Sequence, residues 1–134
     1  MNIKRYILGS LAVFVFIYLA EFVFHGMIMA DNYSQHADII RADEDALAHM
    51  GYMAAGFVVM AFGFCFVFIQ GYKGTGVAEG IRFGLYVMLA FGLSTKLINH
   101  AVFPYPVDWI YLTTLGEGII YMAAGALIAS IYKP

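Results

Sequence analysis

Apolar residues fall along the chain in four long runs, at about residues 6–29, 48–69, 81–103 and 109–131, separated by short polar stretches. Each run reaches the ~20 residues that a helix rising about 1.5 Å per residue needs to cross ~30 Å of hydrocarbon. The four runs and their connections use nearly all of residues 1–134. The pattern predicts one all-α integral membrane domain, a four-helix bundle running up-down-up-down.

Three charged residues interrupt the runs. The first carries Ile-Tyr-Leu-Ala-Glu-Phe-Val-Phe-His-Gly at residues 17–26, which sets Glu21 and His25 four apart on one helix face. The third carries Lys96 and the fourth Glu117. A charge at bilayer depth costs roughly 2.5–3.5 kcal/mol on insertion scales, so something must compensate it. Counting inward from the ends that flank residues 30–47 and 104–108, all three charges lie roughly 10–12 Å below the boundary. His25, His49 and His100 lie nearer the surface. The cheapest arrangement turns these groups inward, as a buried polar network of Glu21, His25, Lys96, Glu117 and Tyr121. Lys96 would neutralise one glutamate, and the other would be protonated or bonded to His25, Tyr121 or Thr114.

Composition sharpens the class. The chain is 63% hydrophobic and 12% charged, against roughly a quarter charged in soluble domains. With a net charge of −2 and no basic stripe, it offers nothing for nucleic acid. Lys4, Arg5, Lys73, Arg82 and Lys133 fall at the termini or the middle connection, and Arg41 alone lies in the other two. The positive-inside rule therefore predicts that both termini are cytoplasmic. The opposite face carries Asp31, Asp38, Asp43, Glu44, Asp45 and Asp108 and reads as a solvated acidic cap. The first run follows a basic Lys4-Arg5 pair, but it is too long for a signal-peptide core of ~7–15 residues and is expected to be retained. Cys65 is the single cysteine, which excludes an internal disulfide, and its apolar setting predicts core packing.

The connections add detail. In the first, the acidic run at residues 43–45 is expected to favour the N-terminus of the second span, and residues 34–41 could form an interfacial helix that dips Ile39 and Ile40 toward lipid. Residues 71–80, Gly-Tyr-Lys-Gly-Thr-Gly-Val-Ala-Glu-Gly, lack the strand and the Gly-Lys-Ser/Thr ending of a phosphate loop and read as a flexible turn. Phe-Pro-Tyr-Pro at residues 103–106 reads as a rigid turn with Trp109 at the interface.

Tyr-Met-Ala-Ala-Gly occurs at both 52–56 and 121–125, and the first and third runs each carry a histidine near one end. This predicts a tandem repeat of two helical hairpins; aligning His25 with His100 sets Glu21 against Lys96, which makes these two the expected pair. Small residues at helical spacing (Gly56 with Gly63, Gly80 with Gly84, Ala90 with Ser94, Gly125 with Ala129) are expected to let backbones approach closely.

Several segments resemble a set of uncharacterised small four-span bacterial membrane proteins. They are Phe-His-Gly at 24–26, Gly-Tyr-Lys-Gly-Thr-Gly at 71–76 with Glu-Gly-Ile-Arg-Phe-Gly-Leu at 79–85, the Tyr-Pro turn, Glu117, and the terminal Ile-Tyr-Lys-Pro. The resemblance implies the four-helix fold and places His25 and Glu117 in the shared pattern, but not His100 or Lys96. It carries no activity.

The sequence favours a non-catalytic structural or accessory subunit, embedded in the lipid bilayer beside other membrane subunits or further copies of itself. No nucleophile–base pair, metal motif or nucleotide signature points to an enzyme. Behind that reading stand three others. His25, His49 and His100 could bind zinc or copper. His25 and His100 could hold haem, with room at Gly26, Gly51 and Gly92. Glu21, Lys96 and Glu117 could relay protons or line a small transporter. The expected cofactor is none, with haem, zinc or copper as the alternatives.

Overall fold

A computed structural model describes residues 1–133; Pro134, which ends the terminal motif, and the side chain of Asp43 in the acidic run lie outside the described residues. The described chain is helical, without strands. Helix α1 (Ile3–Val23) runs into a wide π turn (Phe24–Ile28), then α2 (Ala30–Ser34) and α3 (Asp43–Ala48). Next come α4 (Met50–Gly71), α5 (Val77–Val87), a second π turn (Met88–Leu93), α6 (Ser94–Val102) and α7 (Val107–Ile131).

Four continuous helices are long and apolar enough to cross a membrane: Ile3–Ile28, Met50–Gly71, Val77–Val102 and Val107–Ile131. They follow the four apolar runs to within a turn. The largest difference is in the third, which begins at Val77. There the Glu79 carboxylate folds back to accept the backbone N–H groups of Lys73 (2.6 Å) and Thr75 (3.0 Å) and the Thr75 hydroxyl (2.8 Å). Gly74 and Gly76 take φ of 80° and 87° to make the bend. Residues 71–80 are thus a turn tied by its own carboxylate, where the sequence suggested a flexible one.

Helix α1 lies between α4 and α7, and α5 packs on α7. The α1–α4 seam is aromatic. Tyr6 meets Phe62 and Phe66 edge-on, and Tyr18 meets Phe57. The α5–α7 seam is backbone on backbone: a Cβ added at Gly80 would stand 1.9 Å from the Gly125 carbonyl oxygen, and one at Gly84 2.1 Å from that of Tyr121. In a bilayer, where lipid gives no hydrophobic drive to helix pairing, such approach supplies dispersion contact instead. Gly56 and Gly63 depart from expectation, since a Cβ there would meet nothing within 4 Å. Helix α4 is held by Ala61, Phe64, Cys65 and Phe68 instead. Cys65 is fully buried beside Val13, Ile17, Ala124 and Ile128.

Helices α4 and α5 meet through rings, with Phe83 against Phe64 (4.8 Å between centroids) and Phe68 (5.4 Å). At the same end, the two ends of the chain are tied. The Asn2 N–H donates to the Tyr132 hydroxyl (3.1 Å), and Arg5 donates to the Ile131 carbonyl (2.9 Å).

The first connection differs from the sequence reading. Its helix covers Ala30–Ser34 rather than 34–41, because the chain leaves the first π turn still coiled, and residues 35–40 are turns and bends. The acidic run opens α3, not the second span. His49, at φ −102° and ψ 2°, breaks α3 from α4.

Candidate functional site

The first π turn forms where the Met29 N–H bonds to the Phe24 carbonyl five residues back (2.9 Å). Beside it, the ring of Phe24 lies where a Cβ of Gly116 would stand, so only glycine in α7 admits that ring. The widened turn carries His25 between two acids. Its Nε2 lies 3.1 Å from Oε2 of Glu21 and 3.6 Å from Oε1 of Glu117. The other ring nitrogen, Nδ1, is hydrogen-bonded to the hydroxyl of Tyr33 in α2. On the far side of Glu117, Oε2 accepts from the Lys96 ammonium at 2.7 Å. Lys96 follows the second π turn. Both helical irregularities therefore adjoin the charged cluster, a placement common for π segments at functional sites.

Tyr33, His25, Glu21, Glu117 and Lys96 thus form one chain of contacts drawn from α1, α2, α6 and α7. Glu21 is 6% exposed and Lys96 7%. The cluster holds two carboxylates, one ammonium and one imidazole. It is neutral when a single shared proton sits on His25 or on either acid; His25 Nε2 is within hydrogen-bond reach of Glu21 (3.1 Å) and just beyond it for Glu117 (3.6 Å). With Nε2–H aimed at the carboxylates, Nδ1 accepts from the Tyr33 hydroxyl. Tyr33 stacks on His25 and meets Trp109 edge-on. Burial, then the neighbouring Tyr105, Glu117 and Glu21, push the Tyr33 phenol above its usual range. Burial does the same to Tyr105.

The acid and amine open onto a cleft. A cavity of about 580 Å³ lies between α4 and the third span, walled by Met60, Gly63 and Phe64 on one side and Val87, Phe91 and Gly92 on the other. Lys96, Asn99, Glu117 and Tyr121 supply its polar end. The Phe64–Phe83 contact closes the opposite end. A second cavity of about 420 Å³, toward the turn at residues 103–106, shares Asn99 and Tyr105 with the first and is also lined by Trp109. The Trp109 indole N–H and the Thr114 hydroxyl are buried without a partner. On the other side of α1, an apolar groove of about 590 Å³ is lined by Phe16, Leu19, Val23 and Ile119 and carries no charged residue.

Four of the five residues expected in the polar network are joined directly: Glu21, His25, Lys96 and Glu117. The pairing differs from the repeat-based alignment, which set Lys96 against Glu21. Lys96 pairs with Glu117, and Glu21 pairs with His25, because the α5–α7 seam brings the third span onto the fourth. Tyr121 lines the cleft, but its hydroxyl points to the Met60 sulfur (3.5 Å) rather than to a carboxylate. The three histidines are engaged separately. His49 Nδ1 bonds to the Asp45 carbonyl (2.7 Å), and His100 Nδ1 to that of Tyr105 (2.6 Å). Among the described residues, no three His, Cys, Asp or Glu side chains are grouped as a metal site. Tyr33 is the participant the sequence reading missed. Its only signal is a position eight residues past His25, across a helix break that no pattern marks.

Comparisons with protein-family models, with curated proteins and with solved structures return no match.

Proposed function

We propose that this membrane protein binds an amphipathic small molecule without transforming it. The apolar body would lie in the cleft between α4 and the third span, and a hydrogen-bond-accepting head would sit at Lys96. One observation carries the reading: a largely apolar cavity ends at a buried, paired Lys96–Glu117 couple with Asn99 beside it. Cavities of this size, apolar with a few convergent polar groups, are the usual form of a small-molecule site. The polar end is rich in donors. Lys96 has three N–H groups and spends one on Glu117, and the Tyr121 hydroxyl has only a weak sulfur acceptor. Both oxygens of Glu117 already face bases, so the free capacity there favours an acceptor on the ligand. Nothing in this reading requires catalysis. Its frame is the expected topology: an up-down-up-down bundle of two related hairpins, with termini cytoplasmic and cleft in the outer leaflet by the charge distribution, in the bacterial inner membrane that the resemblance implies.

The test uses Gly63, which lines the cleft and whose added Cβ would meet nothing within 4 Å. Gly63→Leu should fill the cleft while leaving the fold intact. Protein purified in mild detergent should carry a stoichiometric lipid-soluble compound by mass spectrometry, and Gly63→Leu should lose it. Equal content in both proteins would overturn the reading, and a Soret band or stoichiometric metal lost in His25→Ala would replace it with haem or metal binding.

A second reading, a structural or accessory subunit of a larger membrane assembly, is supported by α4. That helix packs mainly on α1 and leaves Tyr52, Val59, Phe66 and Val67 exposed along its length. Co-migration with larger membrane subunits in native electrophoresis, without bound small molecule, would favour it.

A further inference from the structure

We infer that the head group held at Lys96 is an anion and that each anion enters the cleft together with one proton, taken up by the Glu117–His25–Glu21 chain. This rests on the cleft reading above and gives it a charge rule.

Two acids face two bases in a setting where Glu21 and Lys96 are more than nine-tenths buried. An added negative charge there is uncompensated, and a buried charge left without a partner is strongly disfavoured. A proton arriving with the anion restores neutrality. The geometry supplies both halves of the exchange. Lys96 borders the cleft directly, so an incoming anion can take the ammonium from Glu117. Glu117 then needs a new partner for its charge, and His25 Nε2 stands 3.6 Å from its free oxygen. Released by Lys96, Glu117 closes that gap to hydrogen-bond distance and takes the Nε2 proton onto its oxygen. His25 recovers a proton through Nδ1 from the Tyr33 hydroxyl, which gains one in turn from water at the rim of the first connection. No bond other than these O–H and N–H bonds changes.

Each element packed around the cluster contributes a group. Helix α1 presents Glu21, the π turn His25, α2 Tyr33, α6 Lys96, α7 Glu117 and Tyr121, and the 103–106 turn Tyr105; α4 presents Met60. Only Lys96 among these is a cation that borders the cleft. That sets the expected ligand class: an apolar chain or ring body with a carboxylate, sulfate, phosphate or phenolate head.

The test uses octyl sulfate, whose head stays ionised throughout, and octanol as its neutral counterpart. Each is titrated calorimetrically into the detergent-solubilised protein, at one pH in two buffers of different ionisation enthalpy. The buffer dependence of the heat counts protons. Octyl sulfate should bind with uptake of close to one proton, and its Kd should rise about tenfold per pH unit where the uptake is complete. Octanol should bind with none. Lys96→Met should lose at least tenfold more affinity for octyl sulfate than for octanol; Lys96→Arg should keep both. Octyl sulfate binding with a proton count near zero in the native protein would overturn the inference and leave the cleft reading standing. Failure of both probes to bind would overturn the cleft reading itself.

Discussion

The two ends of the helices are built by different rules. At the end where the chain termini meet, α5 and α7 touch backbone to backbone at Gly80 and Gly125, and Gly9 admits the Ile128 side chain. Rings of Phe64, Phe68 and Phe83 fill what remains. At the other end two helices widen into π turns, charged groups sit between them, and a cleft opens to the side. The contrast teaches how four membrane-length helices keep a cleft with a charged end. One half is fixed by contacts that tolerate no added atom, and the other is thereby free to depart from close packing.

Four changes probe that contrast. The largest effect is expected at the tight end. Gly125→Leu puts a side chain where a Cβ alone would lie 2.0 Å from the Gly80 carbonyl oxygen. Backbone cannot swing aside as a side chain can, so the loss should reach about 3 kcal/mol or more. Thermal unfolding in detergent should show little folded protein.

Next comes Lys96→Met, which leaves Glu117 with the His25 imidazole, 3.6 Å away, as its remaining basic partner. Breaking a buried pair from one side costs about 3–5 kcal/mol, and the partial exposure of Glu117 places the expected loss at the lower end. A midpoint equal to that of the native protein would mean that the ammonium is solvated elsewhere.

Tyr33→Phe should cost about 1 kcal/mol, the worth of one hydrogen bond, and should also change the pH profile. The folded state holds the Tyr33 phenol protonated above its usual range. The unfolded phenol releases its proton near pH ~10. Above that pH the folded state binds more protons than the unfolded one, so stability falls as pH rises. Tyr33→Phe should shallow that alkaline decline; an unchanged slope would remove Tyr33 from the chain.

The smallest effect is expected on the outer face of α4. Gly56→Ala meets open space and should be neutral or stabilising by up to about 1 kcal/mol. A large loss there would mean that α4 has a neighbour on that side.

How much of this was legible in the sequence follows from what each feature depends on. The spans were legible because hydrophobic length is a one-dimensional property, and the helices at Met50–Gly71 and Val107–Ile131 fall where the apolar runs do. The depth of Glu21, Lys96 and Glu117 was legible for the same reason, since rise per residue converts position into height. Their partners were not. Depth leaves rotation about each helix axis free, and that angle is set by Gly80 against Gly125, which turns Lys96 toward Glu117 rather than Glu21. The glycines show the same limit. Gly56–Gly63 and Gly80–Gly84 look alike as small-residue pairs, yet only the second faces another helix. The π turns and Tyr33 depend on one extra residue per turn near Gly26 and Gly92, which no periodicity announces.

The claim on which all of this turns is that the amine of the third span and the acid of the fourth neutralise each other inside the protein. A double-mutant cycle on thermal stability tests it most directly, using Lys96→Met, Glu117→Gln and the two combined. The pairing predicts that the combined variant unfolds closer to the native protein than Lys96→Met alone does, whereas Lys96→Met combined with Glu21→Gln shows no such recovery. Losses that simply add for Lys96 and Glu117, or a recovery seen with Glu21 instead, would contradict it.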